Sequence, residues 1–304
     1  MLDALSEIIQ GLLRPAAAIS PKYFYDARGS AIFEEITRLP EYYPTRVERA
    51  IMQRYAGEIA LKVGTGRTVI ELGAGNCEKA RALCESIRAS RFVAVDISEK
   101  FLHEAVAKLQ TKLPALDVRA VAADLTAEVV LPADLPRAHR MLFYPGSSIG
   151  NFDPPQALGL IRRMRHMLQD DGALLIGVDL RKDVAVLEAA YDDAAGVTAA
   201  FNLNVLTHLN RLIGSDFELQ GWRHRAFFNA EASRIEMHLE AVADCHVRWA
   251  GGGRSFARGE RIHTENSYKY DIEGFARLLH EAGFHRSVTW TDEQRWFAVV
   301  LACP

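Results

Sequence analysis

The chain has 304 residues, of which 49% are hydrophobic and 25% are charged, and this ordinary composition excludes disordered and fibrous proteins. Its length leaves room for more than one hydrophobic core. The formal net charge of -3 gives no reason to expect a nucleic-acid partner, and no apolar stretch reaches the roughly 18 residues that a membrane span needs.

The first residues of the chain bear on its cellular location, and its cysteines and histidines bear on disulfides and metal binding. Acidic residues lie within the first two turns, unlike in a signal peptide, so we expect a cytoplasmic protein. The four cysteines show no C-x-x-C spacing, and the ten histidines show no i, i+4 pairing of the kind that a helical metal site uses. We therefore expect reduced thiols and no metal. We also expect a monomer.

Aromatic residues crowd the segment before residue 47, first in Lys22–Asp26 and again in Glu41–Arg46. Polar side chains stand beside them. A small aromatic core and a ligand-binding wall would both use this composition, so the two interpretations remain open.

Two apolar runs, each followed by polar residues, mark the first predicted strand–helix–strand unit. Thr68–Ile70 leads into the turn Glu71-Leu72-Gly73-Ala74-Gly75-Asn76, and Phe92–Val95 ends at Asp96. Glycine lacks the Cβ that would keep a ligand from the backbone, and a carboxylate at the tip of the next strand accepts hydrogen bonds from ribose hydroxyls. The pair predicts a site for an adenosine-containing cofactor.

The residues around the glycines distinguish between cofactors. A nicotinamide dinucleotide site needs a third glycine and a helix N-terminus that binds a diphosphate, whereas Asn76-Cys77-Glu78-Lys79 follows Gly75 here. Glu78 would repel a diphosphate, and Glu71 adds a second carboxylate beside the site. An acidic E-x-G-x-G turn suits a ligand with an ammonium and a sulfonium, so we predict that the chain binds S-adenosylmethionine.

Strands and helices alternate from about residue 68 to residue 180, as in a parallel sheet covered on both faces. Apolar residues at helical spacing predict helices after Cys77 and Ser98, and Pro154 opens another. Further strands are predicted at Val118–Ala122, Met141–Tyr144 and Ala173–Leu180.

The end of the chain has a different pattern. A predicted helix, Ile272–Ala282, leads into the apolar runs Ser287–Thr291 and Trp296–Ala302, which a polar turn separates. Two such runs predict an antiparallel hairpin. We therefore predict an α/β fold with a Rossmann-like class I methyltransferase sheet that ends in a C-terminal antiparallel hairpin.

Residues 1–46 and 182–270 stand outside this alternation, and each is too short for a good core of its own. We predict that they form one discontinuous α+β substrate-binding domain, and that residues 47–181 and 271–304 form the S-adenosylmethionine-binding domain. Within the second segment, small residues in Tyr191–Asn202 indicate either backbone close to a ligand or a tight helix crossing. Glu265 and Ser267 stand two apart, so on a strand they share a face.

Long, specific strings occur between Pro21 and Ala302, namely KYFYDARGSAIFEEITRLPEYYPTR, ELGAGNCEK, GSSIGN, AYDDAAGVTAAFNLNVL, RIEM and TENSYKY. On these strings the chain resembles the L-histidine Nα-methyltransferases that make hercynine, the betaine precursor of ergothioneine. Cys77 and Pro145 depart from the family pattern, which bears on the shape of their loops.

The resemblance implies roles for individual residues. S-adenosylmethionine is held by Tyr25, Gly73, Lys79, Asp96 and Asp124, with Asp96 at the ribose and Asp124 near the adenine amino group. Glu71 and Gly75 join this cofactor site because they belong to the same turn. The amino and carboxylate groups of the substrate are held, and the amine oriented for reaction, by Asn151 and Tyr191. The imidazole is surrounded by Tyr42, Met237, Glu265 and Ser267.

The implied reaction is three successive methyl transfers from S-adenosylmethionine to the α-amino nitrogen of L-histidine, with S-adenosylhomocysteine as the second product. The family places Glu265 and Ser267 at the ring nitrogens, and a carboxylate with a hydroxyl matches the one donor and one acceptor of an imidazole. Three rivals remain, which are the same reaction on tryptophan or tyrosine, an NAD-dependent dehydrogenase, and a non-catalytic S-adenosylmethionine sensor.

Overall fold

The computed structural model describes residues 2–304. The chain divides into a small unit, Met1–Tyr43 with Lys182–Ser267, and a large unit, Pro44–Arg181 with Tyr268–Pro304. Residues 44–46 and 268–270, which the sequence analysis assigned to the smaller domain, lie in the large unit. Pro44 lies in a helix that continues to Arg54 in that unit, and Tyr270 forms a parallel bridge with Leu180.

The α-helices of the described residues are α1 (Leu2–Leu13), α2 (Ala27–Ile36), α3 (Tyr43–Arg54), α4 (Ala56–Val63), α5 (Glu78–Ser86), α6 (Glu99–Lys112), α7 (Pro154–His166), α8 (Val184–Ala189), α9 (Val197–Ile213) and α10 (Ile272–Glu281). Short 3₁₀ turns lie at Pro21–Phe24, Ser148–Asn151 and Leu219–Gly221. Across residues 2–304, none of the helices is both long enough and apolar enough to cross a membrane.

The strands are β1 (Ala17–Ala18), β2 (Thr68–Leu72), β3 (Arg91–Asp96), β4 (Asp117–Ala122), β5 (Arg140–Tyr144), β6 (Ala173–Asp179), β7 (Trp222–Asn229), β8 (Arg234–Ala241), β9 (Cys245–Trp249), β10 (Gly252–Phe256), β11 (Arg261–Tyr268), β12 (Arg286–Thr291) and β13 (Phe297–Cys303). They form a seven-stranded sheet in the large unit. The small unit contains a four-stranded sheet, which is the larger of its two sheets, and a separate hairpin, β9–β10.

The sheet of the large unit has the strand order β12-β13-β6-β5-β2-β3-β4. Strands β2 to β6 run parallel, whereas β13 pairs antiparallel with both β6 and β12. This confirms the predicted Rossmann-like α/β sheet and its C-terminal hairpin. The chain passes from β2 to β3 and β4 on one side and then crosses to β5 on the other, so β2 ends at the switch point where such sheets bind ligands.

Both faces of this sheet are covered, which explains the unbroken apolar runs in its strands. Neighbouring residues of β2, Val69 and Ile70, belong to two different hydrophobic cores. The core of Ile70 includes Leu160 of α7, and the core of Val69 includes Leu102 of α6. Side chains alternate across a strand, so helices on each face bury one half of each strand and fix its carboxyl end.

The larger sheet of the small unit has the strand order β1-β11-β8-β7. Helix α9 packs against α2 and against β7 and β8, and its Phe201 and Leu209 are buried. In the segment 191–202, Ala194, Ala195 and Ala200 are exposed, and the first two precede α9. Both interpretations of these small residues therefore stay open.

Candidate functional site

The turn that follows β2 holds its two glycines in the left-handed region, with φ of +70° at Gly73 and +51° at Gly75. The amide of Gly73 donates to the carbonyl of Val95 at 2.8 Å, which fixes the turn to β3. A Cβ built at either glycine would have no described atom within 4 Å. Backbone conformation, rather than crowding, therefore requires glycine here, and the turn presents open backbone to a ligand.

Asp96 ends β3, and two backbone amides hold its carboxylate. Oδ2 accepts a hydrogen bond from the amide of Gly75 at 3.0 Å, and Oδ1 accepts one from the amide of Ser98 at 2.9 Å. Each carboxylate oxygen has a further lone pair. The group that fixes the turn can therefore also accept hydrogen bonds from a ligand.

Asp124 stands just after β4, the neighbour of β3. Its Oδ1 accepts hydrogen bonds from the amide of Thr126 at 2.8 Å and from the Thr126 hydroxyl at 2.6 Å. The amide of Ala123 donates to the carbonyl of Asp96 at 3.0 Å. The structure thus brings Asp96 and Asp124 to the same edge of the sheet.

Lys79, in the first turn of α5, forms an ion pair that the sequence analysis missed. Its Nζ lies 2.6 Å from Oε2 of Glu48 on α3, whose side chain is only 3% exposed. Oε1 of Glu48 accepts a hydrogen bond from the amide of Gly146 at 2.7 Å. Glu48 therefore joins the predicted cofactor lysine to the loop after β5. It stands 31 residues before Lys79 among other charged residues, so the pair could not be predicted from the sequence.

Gly177 on β6 leaves the space that the Glu48 carboxylate occupies. A Cβ built there would lie 2.1 Å from Oε1 of Glu48 and 3.0 Å from the ring of Phe297. We expect Gly177→Ala to displace Glu48 and to lower the free energy of unfolding by about 1–3 kcal/mol, as measured by urea denaturation. Gly57→Ala on α4 is the control, because a Cβ there meets no described atom within 4 Å. Equal stabilities of the two variants would contradict this prediction.

Glu71 lies inside the fold, with 1% of its surface exposed. Its Oε2 has no hydrogen-bond partner among the described residues. Burial raises the pKa of Glu71 well above its ordinary value; Lys79 opposes this rise, and the carboxylates of Glu48 and Asp96 add to it. The protonated form is therefore favoured at this position, whereas the sequence analysis treated Glu71 as a charged group beside the cofactor.

The variant Glu71→Gln tests this protonation, since it replaces a neutral acid with a neutral amide of similar shape. Because the folded-state pKa of Glu71 lies above its unfolded value, the contribution of Glu71 to stability falls as pH rises from about 4 toward the folded-state pKa. We therefore expect the variant to gain stability relative to wild type between about pH 4 and pH 8, as measured by thermal unfolding. A difference in Tm that stays constant across this range would refute the prediction, and the exposed Glu78→Gln serves as the control.

Asn151 ends the 3₁₀ turn Ser148–Asn151, just after β5. Ser147, which precedes the turn with φ of +58°, accepts a hydrogen bond on its hydroxyl from the amide of Asp179 at 2.8 Å. Its carbonyl accepts one from the amide of Gly150, also at 2.8 Å. The turn that carries Asn151 is therefore anchored to the end of β6.

Three residues predicted to bind the substrate lie together in the small unit. The hydroxyl of Tyr191 is 2.7 Å from Oγ of Ser267, and both side chains are buried. The ring of Tyr42 packs edge-on against the ring of Tyr191, with centroids 6.3 Å apart. The structure therefore joins Tyr42, Tyr191 and Ser267 in one polar and aromatic group.

Glu265 and Met237 lie on neighbouring strands of the small unit, β11 and β8. The hydroxyl of Thr264 donates to the carbonyl of Met237 at 3.0 Å, which ties the two strands together at this point. Glu265 is 8% exposed and Met237 is 2% exposed. A buried carboxyl group thus stands two residues before the Ser267 hydroxyl.

Tyr25 follows the 3₁₀ turn Pro21–Phe24 in the small unit. Its ring lies edge-on to Phe33 and to Phe201, with centroid distances of 5.8 Å and 5.9 Å. Tyr25 therefore packs with α9 in a small aromatic core, which supports the first interpretation for Lys22–Asp26. The other aromatic group, Glu41–Arg46, contains Tyr42, which packs against Tyr191.

The predicted site residues are divided between the two units. Those in the large unit are Glu71, Gly73, Gly75, Lys79, Asp96, Asp124 and Asn151. Those in the small unit are Tyr25, Tyr42, Tyr191, Met237, Glu265 and Ser267. Apart from Tyr25, the predicted cofactor residues share the large unit, and apart from Asn151, the predicted substrate residues share the small one.

Comparisons with known proteins agree with one another. A family model described as "Histidine-specific methyltransferase, SAM-dependent" matches residues 4–304. The chain is 39% identical to a histidine N-alpha-methyltransferase of Mycolicibacterium smegmatis, over 97% of this chain and 93% of that protein. It is 30% identical to ergothioneine biosynthesis protein 1 of Neurospora crassa, over 91% of this chain and 32% of that protein. A solved S-adenosylmethionine-dependent methyltransferase from Clostridium acetobutylicum matches with a TM-score of 0.50 and 13% identity, covering 91% of this chain and 97% of that chain, which supports the fold alone.

Proposed function

Because this chain belongs to the family of histidine-specific, S-adenosylmethionine-dependent methyltransferases, we propose that it methylates the α-amino nitrogen of L-histidine three times and so makes hercynine. This reaction is the first step of ergothioneine biosynthesis, and S-adenosylhomocysteine is its second product. The observation that supports the choice of substrate is the buried carboxyl of Glu265, two residues before Ser267, whose hydroxyl is hydrogen-bonded to Tyr191.

The large unit offers groups that fit S-adenosylmethionine. The open backbone at Gly73 and Gly75 admits a ligand at close range, and the carboxylate of Asp96 accepts hydrogen bonds from ribose hydroxyls. Asp124 suits the adenine amino group, and the Lys79 ammonium suits a carboxylate. When bound, S-adenosylmethionine supplies a methyl group on a positively charged sulfur.

The small unit offers groups that fit an imidazole. Glu265 accepts a hydrogen bond from the ring N–H, and Ser267 donates one to the other ring nitrogen, while Tyr42 and Met237 contribute apolar surface. A site of this kind leaves its own polar groups unpaired when an apolar side chain enters, which is a strong basis for discrimination. Histidine therefore suits it better than tryptophan, whose ring has a donor and no acceptor.

Asn151 and Tyr191 hold the amino and carboxylate groups of the substrate and so orient the nitrogen. The nitrogen must lose its proton before it attacks, because its lone pair forms the new bond. A positive charge close by favours the neutral amine, so the proposal includes no dedicated general base. Holding the nitrogen in line with the methyl carbon at roughly 3–3.5 Å supplies most of the catalysis.

The proposal also covers the oligomeric state, the cellular location and the partners of the protein. We propose that it acts on free histidine, as a cytoplasmic monomer, without a nucleic-acid or membrane partner. No metal takes part in the proposed methyl transfer. Light scattering of the purified protein tests the monomer, and a mass of two chains would contradict it.

Incubation of the purified protein with histidine and S-adenosylmethionine, followed by mass spectrometry, tests the reaction. We expect mono-, di- and trimethylated histidine, with one S-adenosylhomocysteine formed for each methyl group transferred. Parallel reactions with tryptophan and tyrosine test those substrates, and a binding titration with NAD tests the dehydrogenase. Faster methylation of tryptophan or tyrosine would overturn the substrate, and cofactor binding without any methylated product would indicate a sensor.

A further inference from the structure

A second group of chemically active side chains lies in the small unit, on the two central strands of its larger sheet. Glu236 and His238 stand two apart on β8, and His263 lies on the adjacent strand β11. Nε2 of His238 is 3.0 Å from Oε2 of Glu236. One possible ligand atom from each of the three side chains lies within 4.8 Å of the others. We propose that Glu236, His238 and His263 bind a divalent transition-metal ion, with Zn²⁺ as the best fit.

The spacing of these groups is already close to that of a metal-bound set. Two imidazoles bound to one tetrahedral zinc ion, with Zn–N of roughly 2.0–2.1 Å, have ring centroids about 5 Å apart. The rings of His238 and His263 have centroids 5.0 Å apart at an angle of 62°. The rings can therefore take up an ion with small side-chain rotations. Two imidazoles and one carboxylate are a ligand set typical of Zn²⁺, with a water molecule as the fourth ligand.

Neighbouring groups hold the carboxylate in an orientation that suits this role. Oε1 of Glu236 accepts hydrogen bonds from Nδ2 of Asn229 at 2.9 Å and from Nε of Arg234 at 2.8 Å. Oε2 is the atom that faces His238. The Arg234 cation is thus bound to the oxygen that the metal would not use, and supporting contacts of this kind orient metal ligands.

The two imidazoles are also held in place. Nε2 of His263 lies 2.8 Å from Oδ1 of Asn266, and this contact restrains the ring of His263. The ring of Phe227 stacks on His238 with centroids 5.2 Å apart and planes within 6°. The apolar ring shields one face of His238, as the apolar surroundings of metal sites do.

The protonation state of His238 is compatible with metal binding. Burial lowers its pKa to about 4, the Glu236 contact opposes this fall, and the charges of His263 and Arg261 add to it. The imidazole is therefore neutral at pH 7, as a ligand must be. Its Nε2 faces the Glu236 carboxylate, so Nε2 is the nitrogen that would bind the ion, and the buried Nδ1 would carry the ring proton.

The nearby Arg261 has other partners. Its Nε donates to Oε2 of Glu240 at 2.8 Å, and its guanidinium lies over the ring of Phe227 at 5.6 Å. Its charge is thus directed toward a second carboxylate and an aromatic face. The ion would add positive charge beside the Glu236 carboxylate and the two imidazoles.

Metal content of the purified full chain tests this site independently of methyl transfer. After treatment with a chelator, the protein is titrated with Zn²⁺ by calorimetry and with Co²⁺ by visible absorption, which reports tetrahedral coordination. We expect one ion per chain, and at least tenfold weaker Zn²⁺ binding in His263→Gln and in Glu236→Gln. His238→Ala is avoided as the main variant because His238 is packed against Phe227.

The pair His280 and His285 supplies the control. Their rings are 5.1 Å apart at 70°, but among residues 2–304 no carboxylate completes a group of three with them. His285→Gln is expected to leave Zn²⁺ binding unchanged. Binding of less than one ion per chain, or equal Zn²⁺ affinity in wild type and His263→Gln, would overturn the site. If the wild-type protein binds Zn²⁺ but does not methylate histidine, the result contradicts the proposed function and not the metal site.

Discussion

Replacing Glu265 with alanine is expected to lower kcat/KM for histidine by roughly 10²- to 10³-fold, which corresponds to about 3–4 kcal/mol. Glu265 is 8% exposed, so water cannot readily replace its carboxylate. In the variant, the ring N–H of bound histidine would be buried without an acceptor. The large-unit residues that we assign to the cofactor are untouched, so the Kd for S-adenosylhomocysteine should stay within about twofold.

Steady-state kinetics with histidine and calorimetry with S-adenosylhomocysteine measure the two quantities separately. Glu265→Gln retains a carbonyl acceptor and should keep more activity than Glu265→Ala. Glu231→Ala, an exposed glutamate of the same unit, is the matched control and should match wild type. A Glu265→Ala variant with wild-type kcat/KM for histidine would remove Glu265 from substrate recognition.

The part of the fold that could be predicted was the part with distinct apolar runs bounded by polar residues. Strands β2 and β3 contain the apolar runs Val69–Ile70 and Phe92–Val95 because helices cover both faces of the sheet. Glu71 near the end of β2 and Asp96 at the end of β3 are the polar residues that the sequence placed at a ligand site. The predicted hairpin at the end of the chain was correct for a similar reason, since Asp292 separates two apolar runs and accepts hydrogen bonds from the amides of Trp296 and Phe297.

Contacts between distant segments could not be predicted from apolar runs. Glu48 lies on a helix whose exposed face is also charged, so nothing in its own segment distinguished it from a surface residue until its contact with Lys79 was visible. The group of Glu236, His238 and His263 was not predicted because its histidines do not have helical spacing. Glu236 and His238 follow the two-residue period of β8, and the pairing of β8 with β11 adds His263.

Burial also changes the interpretation of residues that the sequence singled out. Glu71 stands in the predicted turn, but its side chain points into the fold, and burial raises its pKa. A one-dimensional pattern reports that a carboxylate is present and does not report its solvation. The same limit applies to Tyr191 and Ser267, which were separate candidates in the sequence and share a hydrogen bond in the structure.

A buried ion pair leads to the second large effect. Nζ of Lys269 lies 2.8 Å from Oδ2 of Asp179, and the two side chains are 0% and 1% exposed. We expect Lys269→Met to lower the free energy of unfolding by about 3–5 kcal/mol, because removing one partner leaves a buried charge without its counter-charge. Urea denaturation followed by the fluorescence of the four tryptophans measures this loss, and the exposed Lys108→Met is the control.

The double variant Lys269→Met/Asp179→Asn separates the charge from the packing. If the loss comes from an uncompensated carboxylate, the second substitution should restore a large part of the stability, since both charges are then gone. Asp179 also donates its amide to Ser147, which precedes the turn that carries Asn151. The single variant should therefore lower kcat for histidine even where it remains folded, and the double variant should recover part of that rate as well. Equal losses of stability in the single and double variants would mean that the Lys269 side chain stabilises the fold by packing, and the electrostatic explanation would then be wrong.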